Sequence, residues 1–481
     1  MNAKYFLIVL FSFLSFSCSK QLDVEPVSTI TNASFWKTED DANGALTGMY
    51  VKFRNLAVLN LFILGEARSE VMEWGTLSGT LDYDRYYLNT LNATSAGPNW
   101  QGIYANVNAA NLIIKYVPNI QFNSEANKNY VLAQAYAMRA YLYFVLARTW
   151  GDVPLWSEPV EGYSAETTQK TKTPVADIFD FIKTDLEKSI ELFPNLSFPD
   201  GKNRWNKASA YALKADVYLW TGKRLNGGDA DFNIAVSACE EVEKADVGLL
   251  ENFPDIFKYN NKQNKEILMS VGFKELEGAA NNYFYNMYSG INAGTLDPVT
   301  GELIGTTSGG VVWTVTELVR NQFSADDTRK DASFLELPNP TYYPPVIVKG
   351  RGVLISGVRY YTSDIIIYRF ADVLLMKAEA KNALGQDPST EMNKIRLRAY
   401  GPNYSAHEFV DGSKEDNDEA ILKERLLELV FEGKRWWDLV RFDKAFDLVP
   451  SLAGKDSYML LWPIPLETLS LEPNVTQNPG Y

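Results

Sequence analysis

The side chains that could perform covalent or metal chemistry are few in this chain of 481 residues. It has one histidine, His407, and two cysteines, Cys18 and Cys239. A metal site built from several histidines is therefore impossible, and a Ser-His-Asp triad would have to use His407. The polar sequence around His407 predicts a solvent-facing position or the start of a helix. Cys239 follows a helical pattern of apolar residues, which predicts a buried free thiol.

Carboxylates are abundant, with 60 Asp and Glu residues against 46 Lys and Arg residues. A glycoside hydrolase needs two of them about 5–5.5 Å apart for retention or about 6.5–9.5 Å apart for inversion. The sequence shows no such pairing and no hydrolase motif, so a glycosidase stays an alternative.

No motif for a metal ion or a cofactor stands out in the chain. The acidic loop at residues 411–418 lacks the ligand spacing of an EF-hand, and no glycine-rich phosphate loop is present. We therefore expect no metal and no cofactor. The net charge of −14 argues against nucleic-acid binding through a basic patch.

Aromatic residues are numerous, with 27 Tyr and 11 Trp. Such rings stack on the flat faces of sugars, but they also fill helical cores. Many of them lie in two long segments rich in Gly and Pro, near residues 65–98 and 278–362. Loops of this length inside a compact protein are usually functional, so these insertions are the expected location of a binding site.

Two segments that flank these insertions look like copies of one helix. Small residues recur at i, i+4 and i+7 with tyrosines beside them, a pattern typical of tetratricopeptide (TPR) helix pairs. The matching positions are Ala133, Tyr136, Ala137, Ala140 and Tyr143 in one copy and Ala208, Tyr211, Ala212, Ala215 and Tyr218 in the other. Residues 371–380 form a weaker third copy.

The periodicity predicts a mainly α fold with four TPR-like helix pairs as a scaffold, long irregular insertions and a few short β-strands. A first helix is expected near residues 38–55. The helix pairs are expected near residues 99–149, 174–245, 363–399 and 416–447, and short strands near 344–349 and 353–360.

The N-terminus has the layout of a bacterial lipoprotein signal. A positive residue and a short apolar run occupy residues 1–17, and Cys18 follows directly. We expect Cys18 to be lipidated and residues 18–34 to form a tether before a single domain at 35–481; an ordinary cleaved signal is the alternative. No later run reaches the roughly 18 apolar residues that suggest a transmembrane helix.

Residues 424–442 read ERLLELVFEGKRWWDLVRF. This stretch resembles the ERR-x-E-L-x-F-E-G-x-R-W-x-D-L-x-R segment of the SusD/RagB family, lipid-anchored outer-membrane proteins with which Bacteroidetes-type bacteria capture nutrients. Further segments similar to that family are FWKTEDD at 35–41, RAY and WGDVPL within 139–155, IYRFADVLLMKAEA at 367–380, LWPIP at 461–465 and NVTQNPGY at 474–481.

The resemblance implies a non-catalytic protein of the outer membrane, held there by the N-terminal lipid and facing the cell exterior. It would bind glycan and deliver it to a SusC-like TonB-dependent barrel. Peptide or another nutrient is the alternative ligand. The other classes kept open are a lipid-anchored glycoside hydrolase and a TPR adaptor whose only partner is the barrel.

In the resembled family the ligand meets a face made from the long insertions, where rings stack and polar side chains orient hydroxyls. We therefore expect Trp436 and Trp437 to be core residues, and Trp100 to be mainly structural. The candidate ligand-binding residues are Trp74, Tyr83, Tyr86, Tyr283, Tyr285 and Trp313, with Arg68, Glu70 or Asp82 as hydrogen-bonding groups.

Overall fold

Stacked helices form the body of the protein. The computed structural model describes residues 35–75, 82–275, 277, 281, 291–307, 312–337 and 344–481. The predicted signal peptide, Cys18 and the tether lie outside these residues. The helices are α1 (Glu39–Ala57), α2 (Asn60–Gly65), α3 (Asp84–Tyr87), α4 (Gln101–Tyr116), α5 (Glu125–Trp150), α6 (Ala165–Thr168), α7 (Val175–Leu192), α8 (Lys207–Arg224), α9 (Gly228–Glu243), α10 (Pro298–Ile304), α11 (Glu317–Arg320), α12 (Lys330–Ser333), α13 (Phe370–Ala383), α14 (Ser389–Tyr400), α15 (Lys414–Leu429), α16 (Arg435–Arg441), α17 (Ala445–Leu448) and α18 (Leu466–Leu471).

The mainly α prediction is confirmed, and consecutive long helices pack against one another. Helix α4 packs on α5, α5 on α7, α8 on both α7 and α9, and α9 on α13, which also contacts α14 and α15. The region 174–245, expected to hold one pair, contains the three helices α7, α8 and α9.

Small residues set the close approach of these helices. Ala137 and Ala140 in α5, and Ala212 and Ala215 in α8, are completely buried. These are matching positions of the two sequence copies, so the repeated pattern does mark the packed face. Cys239 is also buried as a free thiol in α9, as predicted, and burial raises its pKa well above the ordinary value.

Polar caps explain where several helices begin. The Thr38 hydroxyl accepts from the Asp41 N–H at 3.2 Å, while the Asp41 carboxylate accepts from the Thr38 N–H at 2.8 Å. Asn206 and Ser209 make the same reciprocal capping box before α8. Such pairs satisfy main-chain donors that the first helical turn leaves free.

The strands are short and pair in antiparallel twos. They are β1 (Met72–Trp74), β2 (Ile267–Val271), β3 (Trp313–Val315), β4 (Phe334–Leu335), β5 (Val346–Ile347), β6 (Val353–Ile355), β7 (Val358–Tyr360) and β8 (Ile365–Arg369). The pairs are β1–β3, β2–β8, β4–β5 and β6–β7. Strands β5, β6 and β7 lie where short strands were predicted, and β1–β3 joins the two insertions.

Residues 424–442 are called the C-terminal motif. They comprise the end of α15, a turn at residues 430–434, and α16. Trp436 and Trp437 are buried, as predicted. The Trp437 ring covers the Arg148 guanidinium at 3.8 Å, and the Phe144 ring lies 3.6 Å from the same group. These tryptophans therefore belong to the core between the helices.

Glutamates one helical turn apart in the motif meet buried arginines. Arg329 donates to Glu424 at 2.7 Å and to Glu428 at 3.2 Å. Arg369 donates to Glu428 at 2.6 Å and to Glu432 at 2.9 Å. All five side chains are almost or fully buried, so these contacts act in a low-dielectric interior rather than on a solvated helix face.

The turn of the motif is pressed against the end of α2. Gly433 has φ +73°, a left-handed conformation that suits glycine. A Cβ added at Gly65 would lie 1.9 Å from the Gly433 carbonyl oxygen. Only glycine at position 65 therefore permits this contact between two main chains.

We predict that Gly65→Ala lowers the free energy of unfolding by about 2 kcal/mol or more, because a Cβ at this site must push two backbones apart. Urea denaturation measures the change. Gly48→Ala is the matched control, since Gly48 lies in α1 with open space around its Cβ position. Removing a helical glycine there should add about 0.5–1 kcal/mol. Equal stability of the Gly65→Ala variant and the wild type would contradict the close approach.

Candidate ligand-binding site

The start of the first insertion is fixed by every second residue from 66 to 70, namely Glu66, Arg68 and Glu70. The Glu66 carboxylate accepts from the main-chain N–H groups of Phe431, Gly433 and Lys434 at 2.6, 2.6 and 3.1 Å. The Glu70 carboxylate accepts hydrogen bonds from Nε and Nη2 of Arg435 at 2.8 and 2.6 Å.

Arg68, between these two glutamates, is completely buried. It donates to the Asn89 side chain at 2.7 Å and to the Met459 carbonyl at 2.6 Å, and its guanidinium lies 4.3 Å from the Trp436 ring. The insertion is thus anchored to the C-terminal motif just before β1.

Strands β1 and β3 then bring the two insertions together. Met72 pairs with Val315, and Trp74 pairs with Trp313. Thr316 extends the connection, because its N–H donates to the Val71 carbonyl at 2.9 Å. Residues from distant parts of the sequence therefore meet on one small ladder.

Aromatic rings form a layer beside this ladder. Tyr83 stacks on Trp313 at 5.2 Å with 17° between the ring planes, and Trp313 donates through Nε1 to the Tyr83 carbonyl at 3.3 Å. Tyr86 packs behind them, 6.2 Å from Trp313 and 5.8 Å from Trp462. Trp74 lies at the open end of the ladder with 61% of its surface exposed, whereas Trp313 is fully buried.

Polar side chains surround the exposed edge of this layer. Asp82 is exposed, pairs with Arg85 and accepts from the Ser95 hydroxyl at 2.8 Å. Arg85 also donates to the Tyr86 hydroxyl at 3.0 Å. Burial lowers the pKa of Arg85, but the hydrogen bonds to Tyr86 and Asp82 outweigh it and raise that pKa above its ordinary value. This edge therefore offers a fixed cation beside an exposed carboxylate.

Glu73 on β1 faces away from the Trp74 ring, because successive side chains of a strand point to opposite faces. Burial raises its pKa, the charge of Glu317 raises it further, and Arg320 opposes both effects. Arg320 also donates to Glu336 at 2.7 Å. The ladder thus carries hydrogen-bonding groups as well as rings.

The structure separates the sequence candidates by accessibility. Trp74, Tyr83 and Asp82 reach solvent, whereas Arg68, Tyr86 and Trp313 are buried and support the layer. Tyr283 and Tyr285 lie outside the described residues. Sequence reasoning did not select Arg85, and the signal for it was its position beside the chosen aromatic Tyr86.

The residues with potential for catalysis are engaged elsewhere. His407 stacks on Tyr400 at 3.7 Å, and its Nε2 is 2.8 Å from Asp326. The Ser324 hydroxyl donates to that same Asp326 rather than to the imidazole, which is not the order of a nucleophilic triad. Within the described ranges, no cluster of His, Cys, Asp and Glu could hold a metal ion.

Comparison with known proteins identifies the family. The SusD family model matches residues 338–454, and a model described as "Starch-binding associating with outer membrane" matches residues 22–219. NanU of B. fragilis is 34% identical, with a TM-score of 0.82 over 95% of this chain and 100% of that chain. The chain belongs to the SusD family.

Two further relatives cover almost all of this SusD family protein. A SusD superfamily protein from Bacteroides vulgatus is 32% identical, with a TM-score of 0.82 over 93% of this chain and 100% of its own. SusD-like protein P38 from Formosa agariphila is 26% identical over 510 residues, covering 97% of this chain and 96% of the relative. The resemblance drawn from the C-terminal motif is therefore confirmed, with the outer-membrane association that the second family model describes.

Among the residues that the structure describes, every helix is too short or too polar to span a membrane.

We predict that Glu66→Gln destabilises the protein by about 1–3 kcal/mol, because an amide cannot accept all three main-chain hydrogen bonds and a buried N–H loses its partner. Chemical denaturation measures the loss. Glu251→Gln, at an exposed glutamate, is the control and should leave stability unchanged. If both variants unfold alike, Glu66 is not an anchor of the insertion.

Proposed function

We propose that this protein binds glycan at the cell surface through Trp74 and Tyr83 and delivers it to a SusC-like TonB-dependent transporter without catalysing a reaction. The observation that carries the proposal is the exposed Trp74 ring on the ladder that joins both insertions. A large apolar ring on a fixed strand, left open to water, is typical of a recognition surface.

Glycan suits the chemistry of this surface better than an apolar ligand. The aromatic faces of Trp74 and Tyr83 match the C–H faces of pyranose rings, while Asp82 and Arg85 can bond sugar hydroxyls. Binding sites generally combine apolar walls with a few such oriented polar groups. The description of the matching family model as starch-binding supports the same ligand class. Peptide or another nutrient is the alternative ligand for this surface.

A non-catalytic role is supported by the environment of the reactive groups. His407 is held between Tyr400 and Asp326, and the Cys239 thiol is buried with a raised pKa. Neither group is free to act as a nucleophile or a general base at the Trp74 surface. A glycoside hydrolase would instead use a pair of carboxylates, so the preference for binding and transfer over hydrolysis rests on membership of the SusD family.

We predict that Trp74→Ala weakens glycan binding roughly tenfold, about 1.4 kcal/mol, because an exposed stacking ring is lost. Isothermal titration calorimetry against a panel of oligosaccharides measures the affinity. Tyr163→Ala is the matched control, since Tyr163 is 85% exposed and lies outside the site. A Trp74→Ala protein that binds like the wild type would remove Trp74 from the site. If no glycan binds the wild type, the ligand belongs to another class of nutrient.

Membrane attachment is proposed to depend on Cys18. Each buried lipid methylene contributes about 0.8 kcal/mol, so acyl chains on this residue would hold the protein at the membrane. We predict that Cys18→Ala moves the protein from the membrane fraction to the soluble fraction, measured by fractionation and immunoblotting. Cys239→Ala is the control and should stay in the membrane fraction. Retention of the Cys18→Ala variant at the membrane would contradict the lipid anchor.

A further inference from the structure

A concave site lies on the helical scaffold and shares no residue with the Trp74 surface. It is a groove of about 390 Å³ between α4, the loop at residues 156–168 and helix α18. This volume is in the range of small-molecule binding sites. The helix α18 comes from the C-terminal region, far from α4 in sequence.

Three aromatic rings form the walls of the groove. Tyr104 meets Trp156 edge to face at 4.7 Å and Trp100 at 5.8 Å. The Tyr104 hydroxyl donates to the Pro154 carbonyl at 2.7 Å, and Trp156 donates through Nε1 to the Thr167 carbonyl at 3.0 Å. These bonds fix the rings, so the walls are formed before any ligand arrives.

Two of the four amide side chains that line the groove, Asn108 and Asn111, bind its loop wall. Asn108 accepts from the Val160 N–H at 2.7 Å. Asn111 donates to the carbonyls of Trp156 and Glu158 at 2.9 and 3.1 Å. Both amides hold the loop to α4, which leaves them poorly placed to bond the hydroxyls of a neutral sugar.

Glu472 has an unused hydrogen-bonding atom in this groove. Its Oε2 is buried, and it has no hydrogen-bond partner among the residues that the structure describes. Burial raises the pKa of this carboxyl. Glu472 as a residue is only partly buried and lines the groove, so its carboxylate can meet a ligand there, and a donor from that ligand would offset the cost of an unpaired acceptor.

The charge of the groove is negative. Glu467 lines its outer part, and no Lys or Arg lines it within the described residues. Carboxylates combined with aromatic walls are the features that recognise organic cations, because an ammonium group donates to the carboxylate and is attracted to ring faces.

We propose that this groove binds an organic ammonium ion, with the ammonium group at Glu472 and an apolar body among Trp100, Tyr104 and Trp156. The site differs in place and in ligand class from the proposed glycan surface. An anionic ligand would meet Glu467 and Glu472 without a counter-charge, and a neutral ligand would leave the Glu472 charge uncompensated.

The test is isothermal titration calorimetry of the full chain with 2-phenylethylammonium chloride and with 2-phenylethanol, a neutral analogue of similar shape. We expect the ammonium ion to bind about tenfold or more tightly than the alcohol. Glu472→Gln should reduce ammonium affinity about tenfold, whereas Glu251→Gln, an exposed site outside the groove, should not change it.

A second pair of variants tests the location without altering charge. Ala105 is exposed on α4 and lines the groove, so Ala105→Trp should fill it and abolish binding. Ala176→Trp, at an exposed alanine of α7, is the matched control. Trp74→Ala should leave ammonium binding intact, which separates this site from the glycan surface.

Three results would overturn the proposal: equal affinity for the alcohol, no ammonium binding at millimolar concentration, or a folded Glu472→Gln protein that binds like the wild type. If Glu472→Gln does not fold, the alcohol comparison and the Ala105→Trp variant decide, since neither depends on that substitution.

Discussion

The contact between residues 66–70 and the C-terminal motif is the constraint on which the rest of the structure depends. Glu66 satisfies three main-chain donors of the motif turn, and Glu70 pairs with Arg435. Arg68 reaches the Met459 carbonyl beyond the motif. Each group is buried, so removing one partner leaves an uncompensated polar group in the interior. The strand that carries Trp74 begins two residues after Glu70, and its position is set by these contacts.

The same motif also holds the second insertion through ion pairs, but here the positive charges are on the insertion and the negative charges are on the motif. There the insertion supplies the cations, Arg329 and Lys349, and the motif supplies Glu428 and Glu432. Burial lowers the pKa of Lys349 to about 8, and the charge of Glu432 opposes that shift. Both insertions are therefore fixed to one helix–turn–helix, which explains how segments far apart in sequence reach the register of β1 and β3.

The scaffold could be predicted from the sequence because helix periodicity, small-residue spacing and caps are local signals. The site could be predicted only in outline, as an aromatic-rich face of two insertions. Trp74 and Trp313 look alike in sequence and pair directly in the structure, yet one is 61% exposed and the other fully buried. Trp313 packs against Phe62, Tyr83 and Tyr86, which are tertiary contacts with no local signal. Likewise Arg68, a sequence candidate, is fully buried, whereas Arg85, which was not a candidate, is partly exposed.

The Trp74 surface and the groove beside α4 differ in how they are stabilised. The Trp74 surface is assembled from insertions and depends on contacts that reach across the fold. The groove beside α4 is held by side chains of the helical scaffold itself, with Asn108 and Asn111 bonded to the loop that forms its wall. The Leu466 N–H donates to the Ala93 carbonyl at 2.8 Å, which also fixes the start of α18. Because its walls are ordered in advance, a ligand in the groove would lose little affinity to the ordering of side chains.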